Sequence, residues 1–223
     1  MKKTISIILC VILCSFIFAG CAGGGSEPFE KKTYTPAPDA RIRGIDLDVR
    51  DREITVEASG HDQVHIQYSE NSKEYYDISV SDDQMLTMTA ASDKELSDYI
   101  GGKTSAEDRK ILLQIPDGLL EDLTLSTTNE DITVPGLTVT KNIDLSSNGG
   151  NVIFENLDTG SALTLNAKNG NISGTIVGSY DDFAIRSEIK KGDSNLPGDK
   201  DTGAKTLDVS CNNGDIEIAF VKQ

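Results

Sequence analysis

From Leu123 onward apolar and polar residues alternate in short runs, and the alternation breaks at a regular interval. The runs are LTLSTTNEDITV from Leu123, IDLSSNGGNVIF from Ile143, LTLNAKNGNISG from Leu163, a degenerate FAIRSEIKKGDS from Phe183, and LDVSCNNGDIEI from Leu207. They recur at about twenty residues, except that the insertion LPGDKDTGAK (Leu196 to Lys205) delays the last. Alternation with period two is the mark of a strand that buries one face. Between the two alternating halves of each unit stands a polar turn, with Asn129 and Asp131, then Asn151, then Asn169 and Asn171, then Asn213 and Asp215. Asn, Asp and Gly accept the left-handed backbone of sharp corners, so the turn chemistry repeats in step with the apolar pattern.

Strand–turn–strand units of this kind fit either antiparallel hairpins packed as a β-sandwich or a single-stranded parallel β-solenoid with roughly twenty-residue coils. The solenoid is the expected fold, because a meander gives no reason for residue identity to recur at a fixed period. Stacked coils would place Leu125, Leu145, Leu165, Ile185 and Val209 in one interior row. They would also set Asn129, Asn169 and Asn213 at equivalent corners, where side-chain amides bond neighbouring coils. IDLDVRDREITV from Ile45 aligns without a gap with the unit at Leu123, which carries the architecture toward the N-terminus. Between these copies VHIQY, YDISVS, MLTMTA and ILLQI read as strands at irregular spacing. Ser92 to Asp108 reads as an excursion with one short helix.

ILLQIP ending at Pro116, followed by LTLSTTNEDITV, NGGNVIF, KNGNISG and NNGDIEI, resembles a family of bacterial cell-surface β-solenoid domains known as putative adhesins, which includes LiaG-like proteins. The resemblance spans about Arg41 to Phe220. Glu130 departs from it where the family has Gly, and so does the unit at Phe183, whose turn is replaced by Glu188 to Asp193. The resemblance implies a surface location and adhesion, and it supplies no catalytic residues.

The beginning of the chain adds an export signal. Lys2 and Lys3 precede an apolar run from Ile5 to Phe18, with the small residues Ala19 and Gly20 after it. FAGC, from Phe18 to Cys21, resembles the lipobox of bacterial lipoproteins, in which cleavage after Gly20 leaves Cys21 as a lipid-bearing N-terminus. Phe18 departs from the usual Leu. The expected organisation is a signal peptide over 1–20, a lipidated Cys and flexible Gly/Ser/Pro tether over 21–40, and one β domain over 41–223. The expected location is the extracytoplasmic side of the cell membrane, with the membrane engaged through the lipid.

Charge narrows the partners. The 223 residues carry 36 Asp plus Glu against 21 Lys plus Arg, a net −15. That excludes a nucleic-acid binder, since neutralising phosphates takes clustered cations. Of the four cysteines, Cys10 and Cys14 leave with the signal and Cys21 takes the lipid. Cys211 alone remains, within an alternating segment, as a buried thiol.

Catalytic chemistry does not assemble. His61 and His65 fall on the polar face of a strand that buries Val64 and Ile66, and two histidines alone do not complete a zinc site. Asp131, Asn151, Asn171 and Asp215 would line one edge, and Asp199 to Gly203 (DKDTG) faintly resembles a calcium loop. Ser210 stands where that loop needs a Glu. No metal, cofactor or catalytic residue is expected. Tyr68, Tyr75, Tyr76 and Tyr99 gather in the irregular half, where a ligand surface is expected. The sequence therefore predicts a non-catalytic surface binding or scaffolding protein with a protein or glycan ligand. The alternatives are an envelope-stress accessory protein working with a membrane partner, or a carbohydrate-active β-helix enzyme.

Overall fold

An alternating segment gains its stability by burying one row of side chains, and in the computed structural model each unit supplies two such rows to two different sheets. The structure describes residues 27–60, 62–95 and 104–222. The first sheet holds β1 (Glu30–Tyr34), β3 (Glu53–Ser59), β4 (His65–Glu70), β7 (Lys110–Pro116), β9 (Ile132–Val134), β10 (Leu137–Val139), β12 (Val152–Thr159), β14 (Ile172–Val177) and β18 (Ile216–Val221). The second holds β2 (Gly44–Asp48), β5 (Glu74–Val80), β6 (Met85–Ser92), β8 (Asp122–Thr127), β11 (Asn142–Ser147), β13 (Ala162–Asn169), β15 (Phe183–Lys191), β16 (Asp199–Lys200) and β17 (Lys205–Asn213).

This corrects the expected single-stranded parallel solenoid: the fold is all-β with two mixed sheets, each of nine strands among the described residues. Nor is it a sandwich of hairpins, since the middle of each sheet is parallel. β8, β11, β13 and β17 pair in parallel, with Leu125 opposite Leu145, Leu145 opposite Leu165 and Leu165 opposite Val209. Antiparallel pairs close the ends: β1 on β4, β4 on β7, β5 on β6, and β15 on β16. The reason is positional. Regular coils can stack only where the period holds. Where the chain has lost it, at the N-terminal end of both sheets and beside β15, a reversed strand covers the last parallel edge, whereas β18 remains a parallel edge strand.

Stacking order also departs from chain order. β17 lies between β13 and β15, and β18 lies directly on β14, so the final unit is inserted beneath the degenerate one. Ile185 pairs with Leu207 and Ser187 with Val209. Ile185 therefore belongs to the row of Leu123, Ile143, Leu163 and Leu207, not to the row of Leu125 in which it was expected. The nine-residue β15 starts two residues ahead of that alignment. Its corner is Lys191-Gly192-Asp193, where Lys191 pairs with Asn213 and Asp193 N–H donates to Asp215 Oδ1 at 2.9 Å.

At the N-terminal end the unit at Ile45 stacks on the unit at Leu123, with Ile45 on Leu123, Leu47 on Leu125 and Ile54 on Ile132. Within the stretch expected to be a tether, Glu30–Tyr34 forms β1, which joins the first sheet along β4. The helix expected between Ser92 and Asp108 reduces, among the described residues, to a 3-10 turn at Glu107–Arg109. Between the sheets lie fully buried rows such as Leu123, Ile143 and Leu163, and Ile132, Val152 and Ile172. Each such side chain contributes about 1.5–3 kcal/mol on burial.

Candidate functional site

The repeated turns fold into a ladder of side-chain carbonyls. Asn151 N–H donates to Asp131 Oδ1 at 2.7 Å, Asn171 N–H to Asn151 Oδ1 at 2.9 Å, and Asp215 N–H to Asn171 Oδ1 at 2.9 Å. Each Asx side chain thus binds the backbone of the next coil, and Oδ1 of each is committed to a backbone donor. The outer Asn rank is less uniform. Asn213 Nδ2 donates to Asn169 Oδ1 at 2.7 Å and Asn169 Nδ2 to Asn148 O at 3.1 Å. Asn129 is separated from Asn169 by Gly149, whose added Cβ would meet Asn129, and it bonds Asp51 instead. Between the two Asx ranks runs a glycine rank. A Cβ on Gly170 would stand 2.1 Å from Gly150 O, so the corners approach too closely for any side chain.

Inside the corner runs a row of small polar groups. Thr127 Oγ1 donates to Arg52 O at 2.7 Å and Ser147 Oγ to Glu130 O at 2.9 Å. Cys211 occupies the same row, its Sγ donating to Gly170 O at 3.4 Å, and burial pushes its thiol pKa up. That is the position of a structural thiol, shielded from the thiolate chemistry that reactivity requires.

The glycine rank ends at the N-terminal coils, where Glu130 and Arg52 stand in its place. Glu130 pairs with Arg109. Arg52 is 3% exposed, and Nε donates to the Tyr76 hydroxyl at 2.6 Å while Nη2 donates to Glu74 Oε2 at 2.9 Å. Its Nη1 donates to Asp51 O at 3.2 Å. Lys94 Nζ lies 2.6 Å from Glu74 Oε1. Burial alone would raise the Glu74 carboxyl, but hydrogen bonds from Lys94 and Arg52 outweigh it and hold the pKa below the usual carboxylate value. Tyr68 packs edge-on against Tyr76 with ring centroids 5.3 Å apart, and burial beside Glu70 pushes its hydroxyl pKa up to about 12. Two of the four tyrosines expected to cluster are thus in contact, and Tyr99 lies outside the described residues.

On the same N-terminal half four connections converge on a cleft of about 430 Å³. Pro36 and Ala40 to Arg43 come from the segment before β2, Asp62 to Val64 from the segment before β4, Gln84 from the β5–β6 turn, and Leu119 from the turn after β7. Ile42 and Val64 are buried and apolar, Arg41 is exposed, and Leu119 is 38% exposed. Arg43 Nε donates to Glu121 Oε1 at 3.0 Å, and Lys141 Nζ lies 2.7 Å from Glu121 Oε2. These bonds pull the Glu121 pKa down to about 2. Gln84 holds φ at 64°, and its carbonyl accepts Arg43 N–H at 2.9 Å, which fixes that side of the cleft. The hollow is open to solvent and its lining is half apolar and half polar, with a volume within the range of ligand sites.

The remaining predicted residues are not gathered there. His65 Nδ1 lies 2.8 Å from Thr35 Oγ1, and His61 lies outside the described residues. In the DKDTG segment the Lys200 ammonium sits against Phe183 O at 2.6 Å and Thr202 O at 2.5 Å, occupying carbonyls a cation would need. Among the described residues no group of three or more His, Cys, Asp or Glu is placed to hold a metal ion. Gly20 and Cys21 lie outside the described residues. Sequence reasoning missed the cleft, whose residues are scattered over four loops. It also missed Arg52, although a charge at a corner that is Gly in three later units was a visible signal.

The profile of the family described as Toastrack DUF4097 matches residues 42–223. No curated protein matches the chain. Among solved structures, the "putative cell adhesion protein" from Clostridium sporogenes ATCC 15579 is similar with a TM-score of 0.58 at 14% identity, over 87% of this chain and 100% of that one. The "putative adhesin" from Bacteroides fragilis NCTC 9343 matches with a TM-score of 0.30 at 15% identity, over 88% of this chain and 98% of that one.

Proposed function

Since the chain belongs to the Toastrack DUF4097 family, we propose that it is a non-catalytic binding module of the cell surface. In this reading it is exported, held on the membrane by a lipid on Cys21, and takes a protein or glycan ligand at the cleft between Arg41 and Leu119. The observation that carries the reading is the division of labour in the fold. The regular coils spend their polar side chains on one another, whereas the irregular half brings four loops together around a half-apolar hollow with an exposed guanidinium. A rigid scaffold presenting loops is the usual arrangement of a binding protein. The description of the Clostridium sporogenes structure as a "putative cell adhesion protein" is consistent with adhesion as the biological setting.

The test is a photo-crosslinking residue at Leu119, on the lip of the cleft, in the protein displayed on intact cells. Adducts with a host or matrix protein or glycan are the expected result. Adducts only with an integral membrane protein of the same cell would overturn adhesion in favour of the accessory role. Turnover of a polysaccharide abolished by one carboxylate substitution would overturn the non-catalytic reading. Cys21→Ala should move the protein out of the membrane fraction; unchanged partition would reject the lipid anchor.

A further inference from the structure

The terminal strand of the second sheet leaves backbone groups open. β5 pairs antiparallel with β6, and Ser81 N–H donates to Met85 O at 2.9 Å in the same register. In such a ladder alternate residues bond the partner strand. The odd-numbered residues of β5 therefore bond β6, and the even-numbered ones turn N–H and C=O to the free side. Near its start that side is filled: Glu74 O accepts Asn71 N–H at 2.9 Å, and Tyr76 N–H donates to Glu70 Oε2 at 3.2 Å. Among the described residues nothing takes the outward groups of Ile78 and Val80.

The other edges are guarded, and β16 covers the start of β15 at Ile185 and Arg186. β1 carries Lys31 and Lys32, the later part of β15 reads EIKK, and Asn195 covers β18 by accepting Ile218 N–H at 3.0 Å and donating to Ile218 O at 2.9 Å. β5, EYYDISV, holds no Lys, Arg or Pro. Basic residues and covers are how these other edges avoid unwanted pairing, whereas the charges of β5 are only the acids Glu74 and Asp77, which leaves it a template for a strand of opposite charge.

Two further observations define the occupant. Tyr76, Ile78 and Val80 point toward the core yet are only half-buried, so one more strand would complete their cover. Asp77 on the opposite face and Asp82 and Asp83 in the following turn are exposed. A second copy of this chain paired here would bring two sets of these acids close together, between two chains each at −15. We propose that Ile78 to Val80 of β5 is a docking edge for an extended segment of a partner protein in which apolar residues alternate with Lys or Arg. The apolar residues extend the core row, the cations face Asp77 and the turn acids, and the backbones exchange hydrogen bonds at Ile78 and Val80. This surface adjoins the cleft at the β5–β6 turn, where Gln84 lines the cleft, but it shares none of the cleft's lining residues, and the failure of either proposal leaves the other standing.

The probe is a short synthetic peptide alternating Val with Lys, compared with the same peptide carrying Glu in place of Lys, added to the full chain. Amide exchange at Ile78 and Val80 should slow with the Lys peptide, which should bind about tenfold or more tighter than the Glu peptide. Ile78→Pro removes an outward N–H without touching the bonds to β6, and should abolish that binding while leaving the circular dichroism unchanged. Should that variant misfold, Asp77→Lys leaves the backbone intact and should reverse the preference between the two peptides. Equal binding of both peptides, binding unaffected by either variant, or concentration-dependent self-association through the same amides would each overturn the proposal.

Discussion

The coils from β8 to β14 with β17 and β18, and the N-terminal layers from β1 to β7, are built from the same alternating strands but solve the corner differently. In the coils, successive corners come so close that glycine is required, and Asx side chains stitch each backbone to the next. In the N-terminal layers the corner opens, a buried arginine fills it, and the strands reverse direction. Regular repetition therefore yields a scaffold whose polar groups are used internally. Loss of the period yields loops, a cleft and an open edge. What distinguishes a scaffold from a site here is how fully its polar groups are already committed.

The comparison breaks most severely at a position the coils cannot do without. Leu165 is fully buried in an interior row, and Leu165→Asp places an uncompensated charge there at a cost of about 4 kcal/mol or more. A thermal melt should show the cooperative transition lost or shifted down by well over ten degrees, and an unchanged melt would reject the register.

Arg52→Ala comes next, at about 3 kcal/mol, because it strands the Tyr76 hydroxyl and removes one of the two cations at Glu74. Its signature should be regional. Amide exchange should accelerate in β1 to β7 while β11 and β13 keep their protection, since stacked units depend chiefly on their neighbours. Uniform acceleration would show that the two regions open as one unit.

Gly170→Ala should cost about 1–3 kcal/mol by driving a methyl group onto Gly150 O. Gly136→Ala is the matched control: its nearest neighbour would be Asn156 Cβ at 3.8 Å, and chemical denaturation should barely distinguish it from the parent.

The smallest effect is electrostatic and belongs to the rim of the cleft. The Glu121 pKa lies at about 2 in the folded protein against an ordinary 4.5. The pairing with Arg43 and Lys141 is fully present above 4.5 and is lost as pH falls toward 2. Glu121→Gln should remove that increment of acid dependence from a pH series of melts, and a curve parallel to the parent's would show that the pairing adds no stability.

Much of this architecture was legible because one-face burial writes itself into the chain as alternation, and stacked coils write themselves as a period. The Asx ladder could be read from the recurrence of Asp131, Asn151, Asn171 and Asp215. The displaced corner at Lys191 to Asp193 was misread, because Phe183 and Ile185 are equally apolar and only pairing with β17 decides which starts the row. The cleft was illegible for a related reason. Its residues are ordinary loop residues whose sequence separations carry no pattern, and they meet only because the two sheets bring the loop ends together.

By itself the sequence determined the strand content, the twenty-residue period and the acidity of the body, since each depends on local alternation, on recurrence or on composition. The tertiary structure alone decided that the coils split into two mixed sheets and that the final unit slips beneath the one before it. It also decided that Arg52 is buried and that, among the described residues, the later part of β5 is left with an open edge. Those outcomes depend on which edges remain unpaired when the period fails, and an unpaired edge is a property of neighbours in space, not of residues in order.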